Sequence, residues 1–169
     1  MIIWFTGLSA SGKTTTANGF AVALRARGHR VEVLDGDEVR RIHGDTGFDR
    51  EGRRRQVERL GDLAVELSAA GAIVLVAAIS PEDAARKAVR ARAPRGFALI
   101  YVATPLAVCE ARDPKGLYAR ARRGEIRDVA GLDLIYEEAN DSELKVDASA
   151  AKPSEMIRSI SAWWKNRSS

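Results

Sequence analysis

Short apolar runs alternate along the chain with longer segments in which apolar residues recur at helical spacing. The apolar runs predict five strands, over residues 2–6, 31–34, 73–79, 98–102 and 144–146. The run over 73–79 is the most apolar, as expected for a parallel strand that is covered on both faces. Strands that alternate with helices are typical of an α/β fold.

Helices are predicted around these strands, over residues 13–27 and 49–70, from Pro81, from Pro105 to about Arg112, and over 153–165. In the longest of them, Val57, Leu60 and Ala64 fall on one face, and charged residues fall on the other. Because no linker rich in proline, glycine or serine divides the chain, we expect a single domain over residues 1–169.

Composition narrows the class of protein further. Hydrophobic residues make up 46% of the 169 positions and charged residues 30%, which is the balance of a soluble globular domain. The longest apolar run, over 69–79, is too short to span a bilayer, so we expect no membrane association and a cytoplasmic location. The single cysteine, Cys109, excludes an internal disulfide. The net charge of +4 suits a small anionic ligand, and basic residues interleaved with acids predict no nucleic-acid partner.

Residues 7–14 read GLSASGKT and fit the phosphate-binding pattern G-x-x-x-x-G-K-[ST] in full. The segment joins a predicted strand to a predicted helix, so its N–H groups and the helix N-terminus would surround a phosphate. Lys13 should reach the β- and γ-phosphates, and the Thr14 hydroxyl should bind the Mg²⁺ that accompanies ATP. A triphosphate site does not by itself distinguish a kinase, a hydrolase and a switch. The expected ATP-binding residues are Gly7, Leu8, Ser9, Ala10, Ser11, Gly12, Lys13, Thr14, Thr15 and Arg112.

Two carboxylates, Asp35 and Asp37, follow the second predicted strand. Ligands of open parallel sheets bind at the carboxyl ends of the strands, so both acids should lie near the triphosphate. One can hold a Mg²⁺-bound water, and the other can take a proton from an acceptor hydroxyl. We assign the metal role to Asp35 and the role of base to Asp37. The alternative is an Asp-Gly turn with a helix cap at Asp37, which the nearby phosphate loop makes the less favoured interpretation.

Basic side chains continue beyond these acids. Guanidinium groups such as those of Arg40 and Arg53 suit phosphate and sulfate, and Phe48 suits stacking on a base. A strongly basic segment follows the fourth strand, and we expect it to form a lid over about residues 112–131 that excludes water from the site. The alternative for many of these arginines is a solvated helix surface, where Glu51 and Arg55 have the spacing of an ion pair.

These motifs together resemble adenylylsulfate (APS) kinase, from residue 2 to about residue 147. The resemblance is carried by GLSASGKTT at 7–15, LDGDEVR at 34–40, GF with Arg53 at 47–53, ISP at 79–81 and TPLAVCEARDPKGLYARARRGEI at 104–126. The last stretch separates the chain from adenylate, shikimate and gluconate kinases, which share only the phosphate loop. The resemblance implies a three-layer P-loop NTPase fold with a parallel five-stranded sheet and a helical lid. It also implies a homodimer.

The reaction implied by the resemblance transfers the γ-phosphoryl group of ATP to the 3′-hydroxyl of adenosine 5′-phosphosulfate, with Mg²⁺. By matching position, the catalytic residues are Asp37, Lys13 and Ser80. Ser80 matches a serine described in the family as a phosphoserine intermediate. Because direct transfer needs no covalent step, we expect Ser80 instead to cap the helix that begins at Pro81. The implied acceptor-binding residues are Asp37, Arg40, Phe48, Arg53, Gln56, Ile79, Ser80, Lys115, Gly116, Leu117 and Val129.

The sequence departs from the family pattern mainly on the acceptor side. Ala10 replaces a glycine, Gln56 an asparagine, and Val129 the aromatic residue that forms a second wall for the adenine. Glu82 and Asp83 replace an aromatic residue and an arginine. Stacking on an aromatic residue is worth about 1–3 kcal/mol, so acceptor binding should weaken by about tenfold or more. Three interpretations remain open: a divergent APS kinase, a kinase for another nucleotide or small alcohol, and a nucleotide-dependent switch.

Overall fold

Five parallel strands form one sheet within the part of the chain that the computed structural model describes, residues 1–44, 47, 49–93, 95–149 and 151–168. The strand order is β2-β3-β1-β4-β5, and every neighbouring pair is parallel. All five strands therefore end at the same edge of the sheet. Their bounds are Ile2–Thr6 (β1), Val31–Asp35 (β2), Ile73–Ala77 (β3), Phe97–Val102 (β4) and Leu144–Val146 (β5).

Helices follow most of the strands, as the sequence pattern predicts. Their bounds are Lys13–Arg25 (α1), Gly36–Ile42 (α2), Arg50–Ala69 (α3), Asp83–Arg92 (α4), Leu106–Arg112 (α5), Leu117–Arg122 (α6) and Pro153–Ser168 (α7). The sequence pattern does not predict the short helix α2. α6 lies inside the predicted lid.

Two hydrophobic cores lie on opposite faces of the sheet, and together they make the predicted three-layer α/β fold. Alternate strand residues divide between the cores, since Ile3 and Phe5 pack against α1 and α7 while Ile2 and Trp4 pack against α3 and α4. β3 is buried over nearly its whole length, as its apolar run predicts. The architecture confirms the P-loop NTPase fold expected from the resemblance.

The cap of α2 is Asp35, whereas the less favoured interpretation of this segment places a helix cap at Asp37. Asp35 is the N-cap residue, and its carboxylate accepts hydrogen bonds from the backbone N–H groups of Asp37 at 2.9 Å and Glu38 at 3.3 Å. An N-cap carboxylate satisfies helix N–H groups that otherwise have no intrahelical partner. Asp37 therefore lies in the first turn of α2, with its own carboxylate free of the capping role.

The connection from β3 to α4 also differs from the expectation. β3 ends at Ala77 and not at residue 79, and α4 begins at Asp83 with Glu82 as its N-cap. The reason is Ser80, whose φ of +46° is left-handed and cannot continue a strand or begin a helix. The prediction that Ser80 caps a helix from Pro81 is wrong.

The loop between β1 and α1 takes its shape from three residues with positive φ. At Gly7 (φ +147°) a Cβ atom would lie 2.4 Å from the carbonyl oxygen of Val102, so only glycine fits. Gly12 (φ +103°) precedes α1 as its N-cap. Ala10 (φ +58°) is the non-glycine residue of the three, and it stands where the family pattern has glycine. The backbone of Ala10 is therefore strained, because its left-handed conformation brings the Cβ atom close to a carbonyl oxygen.

We expect Ala10→Gly to stabilise the protein by about 1 kcal/mol, because glycine adopts a left-handed conformation without steric cost. The melting temperature should rise by about 2–4 °C. Ala88→Gly is the matched control, since Ala88 is exposed in the middle of α4 and its replacement should destabilise by about 1 kcal/mol. Thermal unfolding of both variants measures the difference. Equal destabilisation by the two substitutions would contradict strain at Ala10.

Candidate functional site

A buried lysine, the first residue of α1, lies where the loop from β1 ends. The Lys13 ammonium donates to the carbonyl oxygen of Leu8 at 2.6 Å. Burial lowers the pKa of Lys13 to about 8, although the charge of Asp37 partly opposes this shift. Phosphate groups would supply the negative charge that favours the protonated lysine. At the same loop, Arg112 donates to the carbonyl oxygens of Ala10 at 3.4 Å and of Ala148.

A direct contact joins this loop to the end of β2. The Thr14 hydroxyl donates to the Asp35 carboxylate at 2.6 Å, across the end of β3, which lies between β1 and β2. The contact confirms that the phosphate loop and the first of the two acids face each other. A hydroxyl and a carboxylate are oxygen ligands of the kind that Mg²⁺ prefers. Within the described ranges, no group of three or more His, Cys, Asp or Glu residues could hold a metal ion.

The second acid is joined to the predicted lid. The Lys115 ammonium donates to the Asp37 carboxylate, and both side chains remain more than half exposed. Lys115 precedes Gly116, which is the N-cap residue of α6 and has a left-handed φ of +63°. The ion pair therefore brings a lid cation over the first turn of α2.

The underside of the lid is a small apolar cluster that packs on the phosphate loop. Cys109, Tyr118 and Val129 form its buried centre, and the Tyr118 hydroxyl donates to the carbonyl oxygen of Ser9 at 3.1 Å. Burial raises the pKa of the Cys109 thiol, as expected for a packed cysteine. Val129 is 1% exposed, so it presents almost no free surface on which an adenine ring could pack. Leu117 packs at the edge of the same cluster.

Two arginines follow the acids along the chain, Arg40 in α2 and Arg53 in α3. Arg40 donates to the carbonyl oxygen of Gly47, and Arg53 donates to that of Asp128. Burial lowers the pKa of Arg53, and the positive charge of Arg40 lowers it further. The Arg53 Nε atom is buried and has no hydrogen-bond partner among the residues that the structure describes. Such a pair of guanidinium groups suits an anion.

The carbonyl that orients Arg53 belongs to a tight turn. Asp133 accepts the backbone N–H groups of Asp128 at 2.8 Å and Val129 at 2.6 Å. Asp128 is left-handed, with a φ of +60°. The pKa of Asp133 is lowered: its partial burial acts against this, and the two N–H groups outweigh the burial. The turn links the end of the predicted lid to Arg53.

A cavity lies beside Arg53, and Val57, Pro81 and Leu134 form part of its apolar wall. At its mouth Glu82 pairs with Arg50 at 2.5 Å. The negative charge that Glu82 brings to this position is therefore balanced by a neighbour in α3. Phe48, which was expected to stack on the adenine, lies outside the described residues.

Three expected acceptor residues make structural contacts within the protein. The Gln56 side chain is buried, donates to the carbonyl oxygen of Gly36 at 2.8 Å and accepts from Arg59 at 3.0 Å. Gln56 thus ties α3 to the start of α2. The Ser80 hydroxyl accepts a hydrogen bond from the Trp4 indole at 2.8 Å and is 2% exposed. Ile79 contributes its carbonyl oxygen to Thr6 at 2.7 Å.

Sequence reasoning missed several residues that shape this site. Trp4 and Thr6 have the pattern of ordinary core positions of β1, and Arg86 has that of a charge on the surface of α4. Tyr118 and Asp133 have no local pattern that distinguishes them. Their partners lie far away along the chain, as with Trp4 and Ser80, which are 76 residues apart.

Known proteins resemble this chain in sequence and in fold. The chain matches the adenylylsulphate kinase family over residues 1–147. It is 48% identical to the adenylyl-sulfate kinase of Klebsiella pneumoniae subsp. pneumoniae over 151 residues, which cover 87% of this chain and 74% of the relative. The APS kinase of Mycobacterium tuberculosis, solved in complex with AMPPNP and APS, has a TM-score of 0.90 at 37% identity, covering 97% and 96% of the two chains.

A more distant solved structure is a hexameric APS kinase from Thiobacillus denitrificans, with a TM-score of 0.72 at 27% identity. The match covers 98% of this chain and 29% of that one. Since the family match extends through the phosphate loop, both acids and the predicted lid, the chain belongs to the adenylylsulfate kinase family.

Proposed function

We propose that this adenylylsulfate kinase transfers the γ-phosphoryl group of ATP directly to the 3′-hydroxyl of adenosine 5′-phosphosulfate (APS), with Asp37 as the base. The bond between the 3′ oxygen and the γ-phosphorus forms, the bond from that phosphorus to the β-phosphate oxygen breaks, and Asp37 takes the hydroxyl proton. The observation that carries the proposal is the contact of Thr14 with Asp35, which brings the acids to the phosphate loop.

The ATP side of the proposal rests on the loop between β1 and α1. Lys13 binds the β- and γ-phosphates, and the loop N–H groups surround them. Arg112 adds charge at the edge of the loop, where it contacts Ala10. The Thr14 hydroxyl and the Asp35 carboxylate would hold the Mg²⁺ that accompanies ATP. When bound, Mg²⁺ neutralises charge on the phosphate oxygens.

The acceptor side of the proposal assigns the phosphosulfate to Arg40 and Arg53, because guanidinium groups suit phosphate and sulfate and the buried Arg53 Nε atom has no hydrogen-bond partner among the described residues. Lys115 and Gly116 act from the lid. Gln56 and Val129 act indirectly, Gln56 by tying α3 to α2 and Val129 by packing the lid. The stacking role of Phe48 stays a prediction.

Direct transfer is favoured over a phosphoserine route by the surroundings of Ser80. The Ser80 side chain is buried and its oxygen accepts a hydrogen bond from Trp4. A phosphoryl group on that oxygen would have to be buried with its charge, at a high desolvation cost.

The state of the protein in the cell is a further part of the proposal. The resemblance supports a homodimer, and the hexameric relative supports self-association more generally. Light scattering of the purified chain measures the stoichiometry. Among the described helices, none is long and apolar enough to cross a membrane. A cytoplasmic location, where ATP is abundant, remains a prediction.

Among candidate acceptors, APS should give the highest kcat/KM, since a phosphosulfate fits the paired arginines better than a neutral alcohol does. The measurement is release of ADP with APS, with other nucleotides and with small alcohols. ADP release without any acceptor should be slow. A higher kcat/KM with another acceptor would identify a kinase of different specificity. Rapid release without acceptor would indicate a hydrolase or a switch.

Replacing Asp37 by asparagine should lower turnover by about 10²- to 10⁴-fold, because the amide cannot take the proton. ATP affinity should stay within about twofold. Glu38→Gln is the matched control, since Glu38 is a neighbouring exposed carboxylate in the first turn of α2. Lys115→Met breaks the same ion pair and leaves the base intact, so it should mainly raise the KM for APS. Unchanged turnover in Asp37→Asn would exclude Asp37 as the base.

ATP affinity should fall as the pH rises above about 8. The free protein loses the Lys13 proton near pH 8, whereas bound phosphates favour the charged lysine and raise its pKa. Binding above pH 8 must therefore take up a proton, and Kd should rise by about tenfold per pH unit. Calorimetry in buffers of different ionisation enthalpy should show uptake of about one proton at pH 9 and little at pH 7. An affinity that is constant from pH 7.5 to 9.5 would contradict this role of Lys13.

A further inference from the structure

The segment from Ile79 to Pro81 leaves β3 at the edge of the sheet where the site lies, and it holds a strained residue. Ser80 has a φ of +46°, which is rare for a residue with a side chain and costs free energy. Such a conformation persists only when its surroundings hold it. Neighbouring groups must therefore hold Ser80 in this conformation.

Three side chains from two elements, Trp4 and Thr6 of β1 and Arg86 of α4, hold the segment through hydrogen bonds. The Trp4 indole donates to the Ser80 hydroxyl oxygen at 2.8 Å. Arg86 donates to the Ser80 carbonyl oxygen at 2.7 Å. Thr6 donates to the Ile79 carbonyl oxygen at 2.7 Å and shares a second hydrogen bond of 2.8 Å with Tyr136. Hydrogen bonds therefore hold the carbonyl groups on both sides of the strained Ser80 φ angle.

Arg86 is the centre of this arrangement. Its side chain is 1% exposed, which is unusual for an arginine. Besides Ser80, its guanidinium group donates to the carbonyl oxygen of Glu137 at 2.8 Å and to the Asp83 carboxylate at 3.3 Å. The backbone N–H of Glu137 returns to the carbonyl oxygen of Pro81 at 2.9 Å. One buried cation thus joins the segment, the loop at Glu137 and the first turn of α4.

The segment borders both halves of the acceptor side. Pro81 lines the cavity beside Arg53. Ala78, just before the segment, lies against Gly36 at the start of α2, where a Cβ atom would be 3.4 Å from the Ala78 side chain. The segment therefore stands between the helix that carries Asp37 and the cavity that contains Arg53.

We propose that Arg86 is a positioning residue for the acceptor: it holds Ile79–Pro81 in its left-handed conformation and so sets the wall that Pro81 contributes to the cavity of Arg53. The inference rests on the proposed function, because it takes that cavity to be on the acceptor side. A defect at Arg86 should raise the KM for APS and leave the KM for ATP unchanged, since the segment does not contribute to the phosphate loop.

The first test is Arg86→Lys. Lysine keeps the charge, but a single ammonium cannot reproduce the forked contacts to two carbonyl oxygens and a carboxylate. The KM for APS should rise by about tenfold, and the KM for ATP should stay within about twofold. The matched control is Arg90→Lys, one turn further along α4. Arg90 pairs with Glu143 at 2.5 Å and packs over Phe97, so its loss should lower the melting temperature without changing either KM.

The second test compares Ser80→Ala with Ser80→Gly, and it leaves Arg86 in place in case Arg86→Lys does not fold. Both variants lose the contact to Trp4, but only glycine also removes the strain of a left-handed side chain. The KM for APS should rise more in Ser80→Ala than in Ser80→Gly. In the Arg86→Lys background, Ser80→Gly should restore part of the APS affinity, an effect that a merely structural Arg86 would not give.

The outcomes separate this inference from the proposed function. Equal rises in both KM values, or a KM for APS unchanged in Arg86→Lys, would overturn the inference while wild-type use of APS leaves the proposed function intact. Loss of all turnover in both Ser80 variants would also overturn it, and would point to a reacting hydroxyl instead. A wild-type enzyme that does not phosphorylate APS would refute the proposed function before any variant is compared.

Discussion

One hydrogen bond, from Thr14 to Asp35, determines how the two halves of the site meet. A parallel sheet brings the ends of β1 and β2 to one edge, and the bond spans the end of the intervening strand. The same Asp35 carboxylate caps α2 with its other oxygen. A single side chain therefore begins the helix that carries Asp37 and also faces the phosphate loop. The position of Asp37 therefore follows from the position of Asp35.

Electrostatics adds a second constraint, because the cleft must attract two polyanions. Lys13, Arg53 and Arg112 all donate to main-chain carbonyl oxygens, those of Leu8, Asp128 and Ala148. A carbonyl group orients a cation without cancelling its charge, whereas a carboxylate would neutralise it. The cations of the cleft are thus held in place for phosphate groups. Burial lowers the pKa values of Lys13 and Arg53, and the charges of Lys115 and Arg40 add to the respective shifts, so a bound anion would favour both cations.

Local pattern predicted the parts of the molecule that depend on local physics. The buried strands have continuous apolar runs, the phosphate loop has a fixed spacing of glycines and lysine, and the ion pair of Glu51 with Arg55 forms at 3.0 Å as its helical spacing predicts. α2 was missed because Asp35 is both the last residue of β2 and the N-cap of α2, so no loop separates the strand from the helix. Ser80 was misassigned because its conformation depends on Trp4 and Arg86, and Arg86 has the sequence pattern of a surface residue.

The departures from the family pattern have different consequences in the folded chain. Glu82 is balanced by Arg50, and Gln56 holds two helices together, so among the described residues neither of them pairs with Arg40 or Arg53. Val129 contributes to the lid cluster and not to an open wall. Ala10 keeps the left-handed conformation of the glycine it replaces, at a cost in stability. The site thus retains its charged groups, while its packing differs from the family pattern.

The most direct measurement is a crystal structure of the enzyme with Mg²⁺, a non-hydrolysable ATP analogue and APS. The 3′ oxygen of APS should lie about 2.6–3.2 Å from an Asp37 carboxylate oxygen and point toward the γ-phosphorus. The phosphosulfate should contact Arg40 or Arg53. An acceptor bound with its 3′-hydroxyl directed at another side chain, with Asp37 turned away from it, would contradict the assignment of the base and of the cleft in which it acts.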